Sequence, residues 1–301
     1  MSRNKLMAMA GAAALMAFLP AVSVAQSNTP QQSLREMVEQ APASDWITIN
    51  PDNLVVMDLP SGPMIIAMQP ELAPNHIERV RTLTSQGFYN GTIFHRVIDG
   101  FMAQGGDPTG TGTGGSELPD IAGEFAQDAA HVSNVAIIGR DDRAAQIGFV
   151  GVVPVGTQPP TLPKFLNNDV YALWGLHCQG VMSMARAQSP NSANSQFFIM
   201  YGDRRGSLDQ GYTVWGKVVS GFQHAKRISR GEPPVRPTPI VRMRMMRQLP
   251  AAEQQTVEYL NPASDTFEKY LTTSLRVTSN GYVREACGID VPIRINGELT
   301  E

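Results

Sequence analysis

The residues best suited to chemistry stand close together. Arg96, Phe101, Met102 and Gln104 fall within Phe94-His95-Arg96-Val97-Ile98-Asp99-Gly100-Phe101-Met102-Ala103-Gln104-Gly105-Gly106-Asp107. One permanent cation, two large apolar side chains and an amide thus share a short β-type stretch that turns at Asp99-Gly100. A cation beside an apolar wall is costly to bury without purpose. The combination suits a site that holds a proline ring and hydrogen-bonds the amide next to it. A Gly-rich run follows, Gly110-Thr111-Gly112-Thr113-Gly114-Gly115.

Two more blocks appear further along. One is Gly180-Val181-Met182-Ser183-Met184-Ala185-Arg186-Ala187 with Asn194-Ser195-Gln196-Phe197-Phe198-Ile199 after it; the other is Leu208-Asp209-Gln210-Gly211-Tyr212-Thr213-Val214-Trp215-Gly216-Lys217-Val218. In this order the three blocks resemble the signature of the cyclophilin-type peptidyl-prolyl isomerases, of the exported bacterial type. The resemblance covers roughly residues 50–125 and 177–246. It implies a mainly β fold: a closed antiparallel eight-stranded barrel capped by two helices, here with a long insertion and a C-terminal extension. It also implies isomerisation of X–Pro bonds in proline-containing polypeptides, with no cofactor and no metal.

Residue by residue, the resemblance gives Arg96, Phe101 and Gln104 catalytic positions. It gives Met102, Gly112, Ala185, Arg186, Ala187, Gln196, Phe198, Leu208 and Tyr212 substrate-binding positions. Each has a plainer reading. A strand Arg commonly faces water, and Phe101, Met102, Phe198 and Leu208 are ordinary core types. Gln104 and Gln196 would need hydrogen-bond partners in any fold, and the glycines could serve turn geometry alone. Three positions depart from the family's usual residues: Arg186 where many members carry Asn, Ser207 where eukaryotic members carry Trp, and Tyr212 where those carry His. The extra cation at Arg186 would favour acidic peptides. Two other functions compete. One is a peptide-binding chaperone that uses the groove without needing turnover. The other is a hydrolase pairing Ser195 or Ser189 with His95 or His177, for which no Gly-x-Ser-x-Gly elbow exists.

The whole chain sets bounds. Its 301 residues carry 24 Lys and Arg against 27 Asp and Glu, a net charge of −3 without any basic block, which argues against nucleic-acid binding. Arg3 and Lys5 precede an apolar run from Leu6 to Phe18; Pro20 and Ser23-Val24-Ala25 then resemble the end of a signal peptide cleaved before Gln26. The run is short for a membrane span. Cleavage would remove two cations and no acids, leaving −5, and would place the chain in the periplasm or outside the cell with no stable membrane insertion. Only two cysteines exist, Cys178 and Cys287; in an oxidising compartment they form a possible disulfide, with two free buried thiols as the alternative. The five histidines show no metal spacing.

The elements that must position these residues follow from period and punctuation. After the signal peptide, a lead-in spans residues 26–49, with a helical period from Leu34 to Gln40 and Ser33 as its N-cap. The barrel spans 50–247. Asn53–Leu59 and Pro63–Met68 read as a hairpin around Pro60-Ser61-Gly62, and Ala73–Gln86 as a helix with Ile77, Val80 and Leu83 on one face. Phe222–Ile228 would be a second short helix and Val241–Met246 a closing strand. Residues 126–176 form the insertion, with strands at Val135–Ile138 and Ile147–Val153; its flanks place it beside the groove. Residues 248–301 form the extension.

Overall fold

The computed structural model describes residues 33–158, 171–274 and 276–300. The expected signal peptide and its cleavage site lie outside the described residues.

Local sequence sets each element. Helix α1 (Leu34–Glu39) starts in a capping box, with Ser33 Oγ accepting from Glu36 N and the Glu36 carboxylate accepting from Ser33 N. Strand β1 (Trp46–Thr48) precedes the hairpin of β2 (Leu54–Leu59) and β3 (Gly62–Met68), which Pro60 and Ser61 turn. Helix α2 (Pro74–Ser85) opens on proline and buries Ile77, Val80 and Leu83. Its N-cap, Ala73, has no capping side chain. Glu124 takes that task from 48 residues away, accepting from the backbone N–H groups of Asn75 (3.1 Å) and His76 (3.0 Å). Strands β4 (Arg96–Ile98) and β5 (Met102–Gly105) follow. The insertion holds β6 (Gln127–Asp128), β7 (Val135–Gly139), β8 (Gln146–Val150), β9 (Val153–Gln158) and β10 (Ala172–Gly175). The family core resumes with β11 (Val181–Met184), β12 (Phe197–Met200), α3 (Arg205–Leu208), β13 (Val214–Ser220), α4 (Phe222–Ala225) and β14 (Arg242–Met245). The extension adds β15 (Val257–Leu260), α5 (Asp265–Thr273), β16 (Ile293–Ile295) and β17 (Glu298–Leu299).

The strands form three antiparallel sheets. The largest has eight strands in the order β14-β2-β3-β13-β11-β12-β5-β4; the insertion forms a five-stranded sheet, β6-β10-β9-β8-β7; β1 joins the extension as β1-β15-β16-β17. The barrel is not closed, contrary to the expectation from the sequence. The eight-stranded sheet is an open, curled half-barrel, because β14 and β4 do not pair. Pro237 and Pro239 precede β14 and lack N–H donors. The seam therefore carries scattered bonds and no ladder: Phe94 N to Thr238 O at 3.0 Å, Ile240 N to Thr92 O at 2.8 Å and Gly91 N to Ile240 O at 2.8 Å. The second cap is also smaller than expected, since α4 is a single turn of four residues.

Both faces of the large sheet are buried. By the pleat's period of two, Met57, Met64, Ile66, Phe197 and Ile199 join Trp215 and the α2 residues Ile77 and Val80 in one cluster. The alternate residues Val56, Ile65, Phe198 and Met200 join a second cluster with Phe149 and Trp174 of the insertion and Leu260, Phe267 and Ile293 of the extension. Burying a side chain of this size contributes roughly 1.5–3 kcal/mol. Cys178 and Cys287 are bonded, with Cα atoms 4.9 Å apart, and so tie the extension to the start of the resumed core.

Candidate functional site

The candidate site is assembled by strand register. Arg96 opposes Gln104 across β4 and β5, Gln104 opposes Phe198 across β5 and β12, and Phe198 opposes Ser183 across β12 and β11. Directly opposed residues share a sheet face with Cβ atoms about 4.5–5.5 Å apart, so a cation, an amide and an aromatic ring stand in one row. Two residues along, Met102 opposes Ile98 and Met200 on that face. Between β4 and β5 the chain turns through Gly100 (φ +63°) and presents Phe101, whose ring lies 5.9 Å from the Arg96 guanidinium carbon and 5.5 Å from that of Arg204.

These residues enclose a pocket of about 150 Å³ lined by Arg96, Phe101, Met102, Gln104, Ala185, Arg186, Phe198, Leu208 and Tyr212. An apolar cavity near this size holds a benzene ring, so a five-membered ring fits. Its walls are rigid: Tyr212 meets Phe198 edge-on at 5.7 Å, and His177 stacks behind Phe198 at 6.1 Å. Arg96 Nε donates to the Glu232 carboxylate at 2.7 Å, with the side chains 41% and 51% exposed.

A groove of about 530 Å³ adjoins the pocket and shares Gln104, Ala185 and Arg186 with it. Its floor is the Gly-rich run, which Asp107 organises. The buried Asp107 carboxylate accepts from the N–H groups of Thr109 (2.8 Å), Gly112 (2.6 Å) and Gly114 (3.1 Å). Burial alone would raise its pKa, but these bonds and the Thr109 hydroxyl outweigh burial and hold it at about 2. The cradle requires glycine twice: Gly112 has φ +87°, and a Cβ on Gly114 would lie 2.2 Å from Asp107 Oδ1. Gln196 crosses the groove, donating to Gly112 O (3.1 Å) and Gly114 O (2.8 Å) and accepting from Gln104 Nε2 at 2.8 Å.

Residues 54–247 match the family model described as cyclophilin type peptidyl-prolyl cis-trans isomerase/CLD. The chain belongs to this family. A probable peptidyl-prolyl cis-trans isomerase of Brucella suis is 35% identical over 205 residues, covering 64% of this chain and 78% of that protein. The isomerase ppi1 of Schizosaccharomyces pombe is 31% identical over 186 residues, covering 60% of this chain and 91% of that one. The crystal structure of cyclophilin AquaCyp293 from Hirschia baltica superposes with a TM-score of 0.71 at 32% identity, covering 85% of this chain and 94% of that one. The present chain is thus a cyclophilin with peptidyl-prolyl cis–trans isomerase activity.

The cyclophilin fold brings all twelve expected catalytic and substrate-binding residues to the pocket or the groove. Ala187, Gly112 and Gln196 line only the groove; Arg96, Phe101, Met102, Phe198, Leu208 and Tyr212 line only the pocket. The insertion departs from expectation. None of its described residues lines either space; its apolar strands pack behind the site, in the cluster that holds Met102, Phe198 and Leu208 together with Phe267 and Ile293. The proposed serine–histidine pairs do not form: Ser195 Oγ donates to Gly106 O at 2.8 Å, and Ser189 Oγ accepts from Asn191 N at 3.3 Å. A triad-like chain does exist elsewhere. Asp209 Oδ1 lies 2.9 Å from His177 Nδ1, and His177 Nε2 lies 3.0 Å from Ser183 Oγ. His177 and Ser183 are fully buried, and Ser183 Oγ donates to Thr213 O at 2.9 Å, so the chain braces the pocket wall and offers no nucleophile. Sequence reasoning missed this brace, Glu232 and the hub role of Asp107. Only the last had a signal, an Asp two residues before Thr109, the pattern of an Asx turn.

Proposed function

We propose that Arg96 accelerates X–Pro rotation by stabilising the twisted amide while the prolyl ring sits in the pocket, and that the clients are proline-containing exported polypeptides. The planar bond resists rotation by ~18–20 kcal/mol because resonance is lost on the way. In the twisted state the proline nitrogen is pyramidal and carries a lone pair. Arg96 presents several N–H groups in a rigid, planar fork. Its Nε is held by Glu232, which leaves the terminal nitrogens for the substrate. A donor that gains most from the twisted state lowers the barrier without any nucleophile. Phe101, Met102, Phe198 and Leu208 hold the ring, and Gln104 and the groove hold the chain beside it. The observation that carries this reading is the register row Arg96–Gln104–Phe198.

The test is a prolyl-peptide isomerisation assay on the mature protein and on Arg96→Ala. Loss of one preorganised donor costs ~2.7–4 kcal/mol, a fall of about a hundredfold or more. Undiminished turnover by a folded Arg96→Ala protein would overturn the mechanism. Retained peptide binding with no turnover in either protein would favour the binding-module reading.

Support for export comes from the Arg3–Ala25 pattern and from the Cys178–Cys287 bond, since such bonds persist mainly in oxidising compartments. Fractionation with N-terminal sequencing tests it: a periplasmic or secreted chain starting at Gln26 is expected, and an uncleaved cytosolic chain would refute it.

A further inference from the structure

We propose that Arg186 makes this site selective for peptides that carry an acidic residue next to the prolyl bond. This rests on the isomerase reading above and names the class of substrate it prefers. A peptide whose proline fills the pocket and whose chain enters the groove passes the shared wall of Gln104, Ala185 and Arg186. Among the described residues, Arg186 is the only cation lining the groove. The one carboxylate there, Asp120, does not line the pocket and accepts from Asn194 Nδ2 at 3.1 Å. The charge of the groove is therefore positive at the end nearest the proline.

The Arg186 guanidinium is fixed before any peptide arrives. Its Nε donates to Gly211 O at 2.9 Å, and its Nη1 to Ala187 O at 3.0 Å and Gln188 O at 3.3 Å. The plane lies 4.6 Å from the Tyr212 ring centroid and 5.7 Å from that of Phe125. These partners are all neutral. Among the described residues no carboxylate pairs with Arg186 and Nη2 has no hydrogen-bond partner, in contrast to Arg96 on Glu232, Arg205 on Asp141 and Arg294 on Glu258. An ordered cation with a spare donor and no counter-charge is a receptor for an anionic group. One extended residue advances the chain by about 3.3 Å, so the side chain beside the proline is the one brought alongside. A carboxylate there gains a charge-assisted bond, whereas an ammonium is repelled. The rival reading makes Arg186 a strut joining Gly211 to the Ala187 loop.

The experiment uses the mature protein and two peptide series, with Glu, Gln or Lys either just before or just after the proline. In at least one series kcat/KM is expected to fall from Glu to Gln by about two- to fivefold, the range of a half-exposed ion pair, and to fall again for Lys. The Glu-to-Lys ratio should shrink as ionic strength rises from about 0.01 M to 1 M, where the screening length drops from ~30 Å to ~3 Å. Arg186→Gln should abolish the ratio and Arg186→Lys should keep part of it. Equal rates for Glu and Lys in both series would overturn the proposal. So would an Arg186→Gln protein that slows all peptides alike with the ratio intact, which is the strut outcome. Equilibrium binding of the same peptides reads the charge order without turnover. A chain that binds in that order yet isomerises none would sink the enzyme reading alone.

Discussion

Arg96 Nε donates to the Glu232 carboxylate at 2.7 Å, joining β4 to the proline-rich loop 136 residues away. The contact holds the guanidinium by its edge and fixes the direction of the two terminal nitrogens. Glu232→Gln is expected to lower kcat/KM by about fivefold, the equivalent of roughly 1 kcal/mol, with KM little changed. Glu232→Asp should restore part of the rate. Because both side chains are about half exposed, stability should hardly move, so the same urea midpoint in both variants is expected. An unchanged rate in Glu232→Gln would show that Arg96 orients without this partner.

Asp107 makes the groove acid-sensitive. Its folded-state pKa, about 2, lies below the ordinary 3.8. A depressed carboxylate contributes its stability above the unfolded value and loses it as pH falls through the folded one. The window is therefore about pH 4 to pH 2, and the contribution is of order 2 kcal/mol. Glu124 is also held low, because the bonds from His76 and the first turn of α2 outweigh burial, so it adds to the stability lost on acidification. Denaturant midpoints for wild type should drop on acidification, and Asp107→Asn should flatten that drop. Parallel curves would refute the assignment.

The Cys178–Cys287 bond closes a loop of 109 residues. In the chain-entropy model such a closure is worth about 4–5 kcal/mol. Thiol titration of the denatured, unreduced protein should find no reactive thiols. Reduction should lower the thermal midpoint by several degrees. Two titratable thiols per chain would remove the tie between extension and core.

Asp141 sits at the turn between β7 and β8 and pairs with Arg205 of α3 at 2.6 Å, with both side chains below 10% exposed. Burial opposes its charge, yet Arg205 and two backbone N–H groups hold its pKa low. Asp141→Asn strands a buried cation, a change that typically costs 3–5 kcal/mol. Asp209, 3.8 Å from Arg205 Nε, places the expected loss at the lower end of that range. Replacing both partners by apolar residues should recover much of it. Urea unfolding checks both, and a loss below about 0.5 kcal/mol in Asp141→Asn would mean that the pair is solvated.

The site was legible in the sequence where it is local. Arg96, Phe101, Met102 and Gln104 lie within nine residues, and the strand period alone puts Met102 and Gln104 on one face. The α2 stripe and the hairpin at Pro60-Ser61 were legible for the same reason. What the sequence hid is non-local. Nothing in Glu232 announces Arg96, and nothing in Glu124 announces the N-terminus of α2. The insertion's Ile147–Val153 reads as one apolar strand, yet Gly151 (φ +56°) folds it into the β8–β9 hairpin. A continuous apolar run records burial on both faces, not where the chain turns. Closure failed at the seam because Pro237 and Pro239 subtract donors from a ladder that periodicity alone would complete.

The double-sided burial of the large sheet has an engineering corollary. Leu54, Val56 and Phe198 share one cluster with Leu260, Phe267, Leu271 and Ile293, all of which lie beyond residue 247. The catalytic module is consequently not a detachable cassette. A cut after residue 247 would bare an apolar surface beside the pocket wall and leave Cys178 without its partner, so such a fragment should aggregate. Exchange of parts should be tolerated better on the rim of the groove, where Arg186 and Ala187 lie, than in β12, whose four residues are all buried.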